Sequence, residues 1–222
     1  MSFSTMLIEK AEPYFELQTQ KPFLQGILQG TLPVEKFLYW VRVDYPYLIN
    51  FSRILALGVV KAESFADMKI MQNYLDWIIN EEMALHESYA ADNGISKEEL
   101  ELQRMGPTKY AYTRHELSSA YSGSMGELIA GIFACIVGYQ IVCNKLVQDS
   151  KIDSENPYKD WLKMYVSDDD LDSHTKNIIG MFDRIASESS VSVRDSMDEK
   201  FMLGVRYETM CWDAYYEMEE WI

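Results

Sequence analysis

Two stretches of the sequence each carry a pair of polar side chains that could act on a small molecule. Asp44 and Tyr47 are three residues apart in an aromatic-rich stretch, so they share one face of a helix. Cys135 and Tyr139 are four residues apart in the most apolar stretch, where the tyrosine hydroxyl could orient the thiol. A carboxylate in apolar company is either a hydrogen-bonded core group or a ligand contact, and a cysteine there is most often a small core residue. The residue types alone leave both interpretations open.

Two further carboxylates stand out. Glu208 lies among Tyr207, Met210, Cys211 and Trp212, and a carboxylate against apolar walls has a raised pKa that suits acid and base catalysis near neutrality. A solvated helix face is the commoner interpretation of such a residue.

Glu82 and His86 are four residues apart and could bind a metal, but the di-iron motif Glu-x-x-His has a spacing of three. The chain has only three histidines, which makes a histidine-rich metal site improbable. We predict a structural hydrogen bond between Glu82 and His86.

The aromatic content indicates what kind of ligand these groups could hold. Tyrosine occurs 15 times, and Tyr112 and Tyr165 fall near helix starts or on inward faces. Most of these rings belong in a core. A tyrosine-lined cavity nevertheless suits a flat, polar heteroaromatic ligand, because rings stack on its faces and hydroxyls reach its nitrogens. The sequence contains no glycine-rich phosphate loop, no GxSxG and no zinc signature.

The elements that must position these residues are helical nearly throughout. The predicted segments are 3–18, 23–29, 33–62 with a kink at Pro46, 65–92, a short helix capped by Ser96, 108–121, 125–148, a helix capped by Ser167 and a last helix from Asp195 or Ser196 to about Trp221. Residues 150–157 form a polar loop. No repeat or linker divides the chain, so we predict one all-α domain over residues 1–222.

Composition excludes several function classes. The chain has 222 residues, 48% of them hydrophobic, and a net charge of −15 without any basic stripe. Nucleic acids and anionic membranes are therefore poor partners. Three cysteines, an odd number, indicate reduced thiols rather than a disulfide framework. The N-terminus lacks the pattern of a signal peptide, and the apolar run 128–139 is shorter than the roughly 20 residues that span a bilayer. We expect a cytoplasmic protein.

Six segments, taken in order, resemble one known family. They are KPFLQGILQGTLPVEKFLYWVRVDYPYL (21–48), EEMALH (81–86), PTKYAYTRHELSSAYSG (107–123), ELIAGIFACIVGYQ (127–140), YKDWLKMYVSDD (158–169) and YETMCWDAYY (207–216). Together they resemble the TenA family, the thiaminase II or aminopyrimidine aminohydrolase proteins. The resemblance covers nearly the whole chain and implies a haem oxygenase-like, single-domain helical bundle.

The resemblance also implies roles for individual residues. Cys135 matches the nucleophile of the family, and its presence places the chain in the cysteine-containing branch. Glu208 matches the catalytic acid and base. Asp44 matches the carboxylate that hydrogen-bonds the aminopyrimidine.

Four tyrosines complete the implied site. Tyr139 and Tyr165 match hydroxyls that orient the thiol and hold the ring, and Tyr47 and Tyr112 match aromatic walls. Two departures, Pro46 after Asp44-Tyr45 and Cys211 where an aromatic residue is often found, put the substrate preference in question.

The implied reaction converts 4-amino-5-aminomethyl-2-methylpyrimidine to hydroxymethylpyrimidine and ammonia, and the same route would cleave thiamin. It needs no metal or cofactor, and the family resemblance implies a homotetramer. Two alternatives stay open: a metal-dependent oxidase or oxygenase on the same fold, and a non-catalytic regulatory protein.

Overall fold

Helices account for nearly all the regular structure. The computed structural model describes residues 1–148, 152–166 and 169–222, with the side chains of 169–172 left aside, and this part is helical without any strand. The helices are α1 (Phe3–Thr19), α2 (Pro22–Gln29), α3 (Val34–Lys61), α4 (Phe65–Trp77), α5 (Met83–Asp92), α6 (Lys97–Glu101), α7 (Pro107–Ser122), α8 (Met125–Val147), α9 (Lys159–Tyr165), α10 (Asp169–Glu188) and α11 (Val191–Glu217). The predicted all-α class is confirmed.

Local capping chemistry explains most of the helix ends. Gly30 ends α2 with φ +66°, a left-handed conformation that glycine adopts without strain. Ser96 and Ser124 open α6 and α8 as complete capping boxes. The predicted cap at Ser167 lies outside the described residues.

The predicted start of the last helix was wrong by about four residues. Ser190 caps α11 by accepting a hydrogen bond from the Val193 N–H at 3.4 Å. Ser190 therefore starts the helix about one turn before the predicted residues. The helix ends at Glu217, before Met218 turns left-handed with φ 50°, and so stops short of the predicted Trp221.

Helix α8 forms the centre of the core. It packs against α1, α7, α10 and α11. Gly204 of α11 lets that helix approach closely, because a Cβ there would lie 3.0 Å from the Ala134 Cβ. Gly131 similarly makes room for Ser119 of α7. This close packing fixes the position of α8, the helix that carries Cys135, against α7 and α11.

Helix α8 is also long and apolar enough to cross a membrane by length and composition. However, 78% of its most apolar window is buried inside the protein. Such burial is typical of the core helix of a soluble protein.

The long helix predicted for residues 65–92 is interrupted by a π-helical turn, Ile78–Glu82, between α4 and α5. Buried residues follow one another here at Tyr74, Ile78, Glu82, His86 and Ala90, always four apart. In a regular α-helix each step of four drifts by about 40° around the axis. The wider turn absorbs part of this drift and keeps the whole series facing the core. Helix α3, by contrast, continues through Pro46.

Candidate active site

A small cavity lies beside α8. Its lining residues are Tyr74, Trp77, Glu82, Cys135, Ile136, Tyr139, Gln140 and Tyr165. Its volume of about 20 Å³ accommodates little more than one water molecule. A pyrimidine ring therefore requires the lining side chains to move when it binds.

Helices α8 and α9 supply the aromatic groups of this cavity. Cys135 and Tyr139 lie one turn apart on α8, and the Tyr165 ring of α9 is 4.9 Å from the Tyr139 ring, between centroids. The Trp212 ring of α11 lies 5.1 Å from Tyr139 on another side. The Tyr165 hydroxyl donates a hydrogen bond of 2.6 Å to Glu82 Oε1.

A buried ion network lies next to the cavity. Lys109 Nζ is 2.9 Å from Asp44 Oδ1, an ion-pair contact whose geometry is not that of a hydrogen bond. His86 Nε2 is 3.1 Å from Asp44 Oδ2, and the other ring nitrogen of His86 bonds the Glu82 backbone carbonyl at 2.9 Å. Burial raises the pKa of Asp44, but the charge of Lys109 and the contact with His86 outweigh it and hold that pKa low. Asp44 is therefore an ionised carboxylate.

The same network fixes the charge of its two cations. Burial lowers the pKa of Lys109, but the charge of Asp44 raises it by more than burial lowers it. The pKa of Lys109 therefore lies well above its usual value. The pKa of His86 is likewise raised, because the hydrogen bond and charge of Asp44 outweigh the effect of burial.

An aromatic stack borders this network. The Tyr47 and Tyr112 rings stack with centroids 6.0 Å apart, and Lys109 Nζ lies 3.4 Å from the Tyr47 centroid. The Tyr47 hydroxyl donates to Glu116 Oε1 at 3.0 Å. Burial raises the pKa of Glu116 well above its usual range. Ring faces, a buried cation and a neutral carboxylic acid thus adjoin one another.

Glu208 lies on α11 and is 2% exposed. Within the described chain neither of its carboxylate oxygens makes a hydrogen bond of good geometry. Burial raises the pKa of Glu208 to about 7, although the charge of Lys109 and the hydroxyl of Tyr112 offset part of the rise. A carboxyl with this pKa can both donate and accept a proton at neutral pH.

The Cys135 thiol is protonated at rest. Burial raises the pKa of Cys135 well above its usual value, and the charges of Glu208 and Glu116 raise it further, while Lys109 lowers it. An attack by sulfur therefore requires the proton to leave together with the approach of a ligand. Glu208, whose charge has the largest effect of any neighbouring group on this thiol, can accept it.

The structure brings the seven residues predicted from the sequence to one region in two groups. Cys135, Tyr139 and Tyr165 line the cavity. The other four are buried in the ion network and in the aromatic stack beside it: Asp44, Tyr47, Tyr112 and Glu208.

Three contributors were missed as site residues: Glu82, Lys109 and Glu116. On α7, Lys109 and Glu116 flank Tyr112 at spacings of three and four, a polar set on a buried face that could have revealed them. The predicted hydrogen bond between Glu82 and His86 exists, but it uses the Glu82 backbone carbonyl, and the Glu82 carboxyl bonds Tyr165 instead. In the described part of the chain, His, Cys, Asp and Glu side chains form no group of three that could hold a metal ion.

The helical fold places the protein in the class of all-α proteins with a haem oxygenase-like fold. A crystal structure of a domain of unknown function from Shewanella denitrificans, described as having that fold, matches with a TM-score of 0.73 over 96% of this chain and 92% of its own, at 12% identity. A TenA family transcription regulator from Silicibacter sp. TM1040 matches with a TM-score of 0.87 and 29% identity over 96% of both chains.

Sequence comparison identifies the family. The TENA/THI-4/PQQC family model matches residues 9–218. The aminopyrimidine aminohydrolase of Halalkalibacterium halodurans is 35% identical over 100% of this chain and 98% of its own length. That of Bacillus subtilis is 32% identical over 100% of this chain and 92% of its own. The chain belongs to the TENA/THI-4/PQQC family, as the resemblance of its motifs predicts.

The buried ion pair generates a prediction about stability. We expect Lys109→Met to lower the free energy of unfolding by about 3–5 kcal/mol, because it removes the cation paired with the buried Asp44 charge. Lys10→Met is the control, since Lys10 pairs with Asp198 at the surface and such pairs contribute at most about 1 kcal/mol. Urea unfolding followed by circular dichroism measures both. Equal losses would contradict the structural role of Lys109.

Glu208 generates a prediction about pH. The pKa of Glu208 is about 7 in the folded protein and lower in the unfolded chain. The unfolded chain therefore loses this proton at a lower pH than the folded protein does. The free energy of unfolding falls as the pH rises from the unfolded-chain pKa through 7. We expect Glu208→Gln to raise the melting temperature relative to wild type more at pH 8 than at pH 5. Glu199→Gln, on the exposed side of the same helix, should shift it equally at both pH values. A Glu208→Gln shift that does not depend on pH would contradict the assignment.

Proposed function

We propose that this protein is a hydrolase of thiamin salvage that converts 4-amino-5-aminomethyl-2-methylpyrimidine to hydroxymethylpyrimidine and ammonia. The observation that carries the proposal is the cavity that joins the Cys135 thiol to Tyr139 and Tyr165, with Glu208 close enough to influence that thiol. The full-length relatives named aminopyrimidine aminohydrolase support the same activity. Cleavage of thiamin by the same route is part of the proposal.

The proposed reaction begins at the thiol. Glu208 takes the proton of Cys135, and the sulfur forms a bond to the pyrimidine ring carbon beside the aminomethyl group. This transfer moves a negative charge from one buried group to another and then into the ring, so the site never holds both a thiolate and an ionised Glu208. Asp44 Oδ1 makes no hydrogen bond of good geometry in the described structure, and it is the acceptor we assign to the ring amino group.

The second half of the reaction uses Glu208 again. The ring expels the protonated amine as ammonia, and this ammonia then takes the proton from Glu208, which returns to its carboxylate form. That carboxylate then accepts a proton from water while the oxygen bonds the exocyclic carbon. The sulfur leaves with its bonding electrons and takes this proton from Glu208, which restores the aromatic ring and the resting thiol. A pKa of about 7 for Glu208 suits both of these roles.

Assembly and location are part of the proposal. We assign a homotetramer in the cytoplasm, with residues 1–222 as one folding domain. Val60, Phe65 and Tyr121 are largely exposed apolar side chains. They lie at the end of α3, the start of α4 and the end of α7, and Lys61 donates to the Gly123 carbonyl between α3 and the end of α7. An exposed apolar surface of this kind supports an interface between copies of the chain.

Ammonia release from the aminomethylpyrimidine tests the proposed activity. We expect Cys135→Ala to lose at least a thousandfold in kcat/KM, because without the sulfur the covalent route is closed. Cys143→Ala is the matched control: Cys143 lies two turns further along α8, buried in the core away from the cavity. It should keep activity within about threefold of wild type. Ammonia release by Cys135→Ala at the wild-type rate would contradict the cysteine mechanism.

A further inference from the structure

Glu82 is the one carboxyl among the described residues that line the cavity with Cys135. Its side chain reaches the core because the π-helical turn ends at Glu82. Turns of this kind are rare and occur frequently at functional sites. The neighbouring Glu81, in the same turn, points to solvent.

The surroundings of Glu82 leave its charge poorly compensated. Burial raises the pKa of Glu82 to about 7, the charge of His86 and the Tyr165 hydrogen bond lower it, and the charge of Asp44 raises it. His86 is engaged by Asp44 through one ring nitrogen and by the Glu82 backbone through the other. Lys109 is paired with Asp44. Both nearby cations, His86 and Lys109, therefore compensate the charge of Asp44 rather than that of Glu82.

A cationic ligand would supply the charge that Glu82 lacks. An alkylamine of the lysine type is protonated at neutral pH, and an opposite charge within about 4–6 Å favours the ionised form of a carboxyl. The aminomethyl group of the proposed substrate is such an amine. The thiazolium of thiamin carries a permanent positive charge at the same exocyclic carbon.

We propose that Glu82 binds the positively charged substituent on the exocyclic carbon of the pyrimidine and thereby gives the enzyme its preference for cationic leaving groups. This inference rests on the proposed function and divides the work between two carboxyls: Glu208 moves protons, and Glu82 recognises charge.

Binding to a catalytically inactive protein isolates this recognition step. In the Cys135→Ala protein, calorimetry compares the aminomethylpyrimidine, which is cationic, with hydroxymethylpyrimidine, which is neutral and otherwise similar in shape. Adding Glu82→Gln should weaken binding of the amine by about ten- to hundredfold, because a hydrogen bond between charged groups is lost, and binding of the alcohol by less than threefold. Adding Glu81→Gln should change neither. Glu82→Asp, which keeps the charge, should retain a preference for the amine.

The outcomes separate this inference from the proposed function. Equal weakening of both ligands by Glu82→Gln would mean a purely structural role and overturn the inference, as would no change in either. If the wild-type protein releases ammonia, each of these two results would overturn the role of Glu82 but leave the proposed function unaffected. If neither ligand binds the Cys135→Ala protein and the wild type releases no ammonia, both proposals fail.

Discussion

The buried ion pair between Lys109 and Asp44 is the constraint on which the rest of the site depends. Each side chain is almost fully removed from water, and a buried charge is tolerated only when it is paired. The pair ties α7 to α3, and His86 adds α5 to the same carboxylate. Lys109 also lies over the Tyr47 ring and lowers the pKa of both Glu208 and Cys135. One cation therefore sets the positions of three helices and the acidity of the reacting groups.

The site holds more carboxyl groups than this cation can compensate. Burial raises the pKa of Glu82 and of Glu208 to about 7, and it raises the pKa of Glu116 well above its usual range. Such groups cost stability when they ionise, and a fold selected for stability alone would replace them with apolar residues. Their presence around a thiol is typical of a site where protons move, since perturbed pKa values cluster at functional sites.

The sequence predicted the helical class and most helix starts because caps and glycine stops are local signals. Ser96, Ser124 and Gly30 act within a few residues of themselves. The π-helical turn at 78–82 was not predictable in this way, because a small change in helical register alters no residue type. Lys109 was overlooked because lysine is usually exposed, and only its partner on another helix explains its burial. The family motifs were enough to predict the site residues, whereas the contacts between those residues could be identified only from the folded structure.

A crystal structure of the Cys135→Ala protein with 4-amino-5-aminomethyl-2-methylpyrimidine tests the central claim that the cavity beside α8 is the substrate site. The account predicts the ring in an enlarged cavity against Tyr139 and Tyr165, with the exocyclic carbon facing position 135 and its amine towards Glu82. A ligand bound elsewhere, for example in the surface groove at Asp67 and Arg184, with the cavity beside α8 not enlarged, would contradict it.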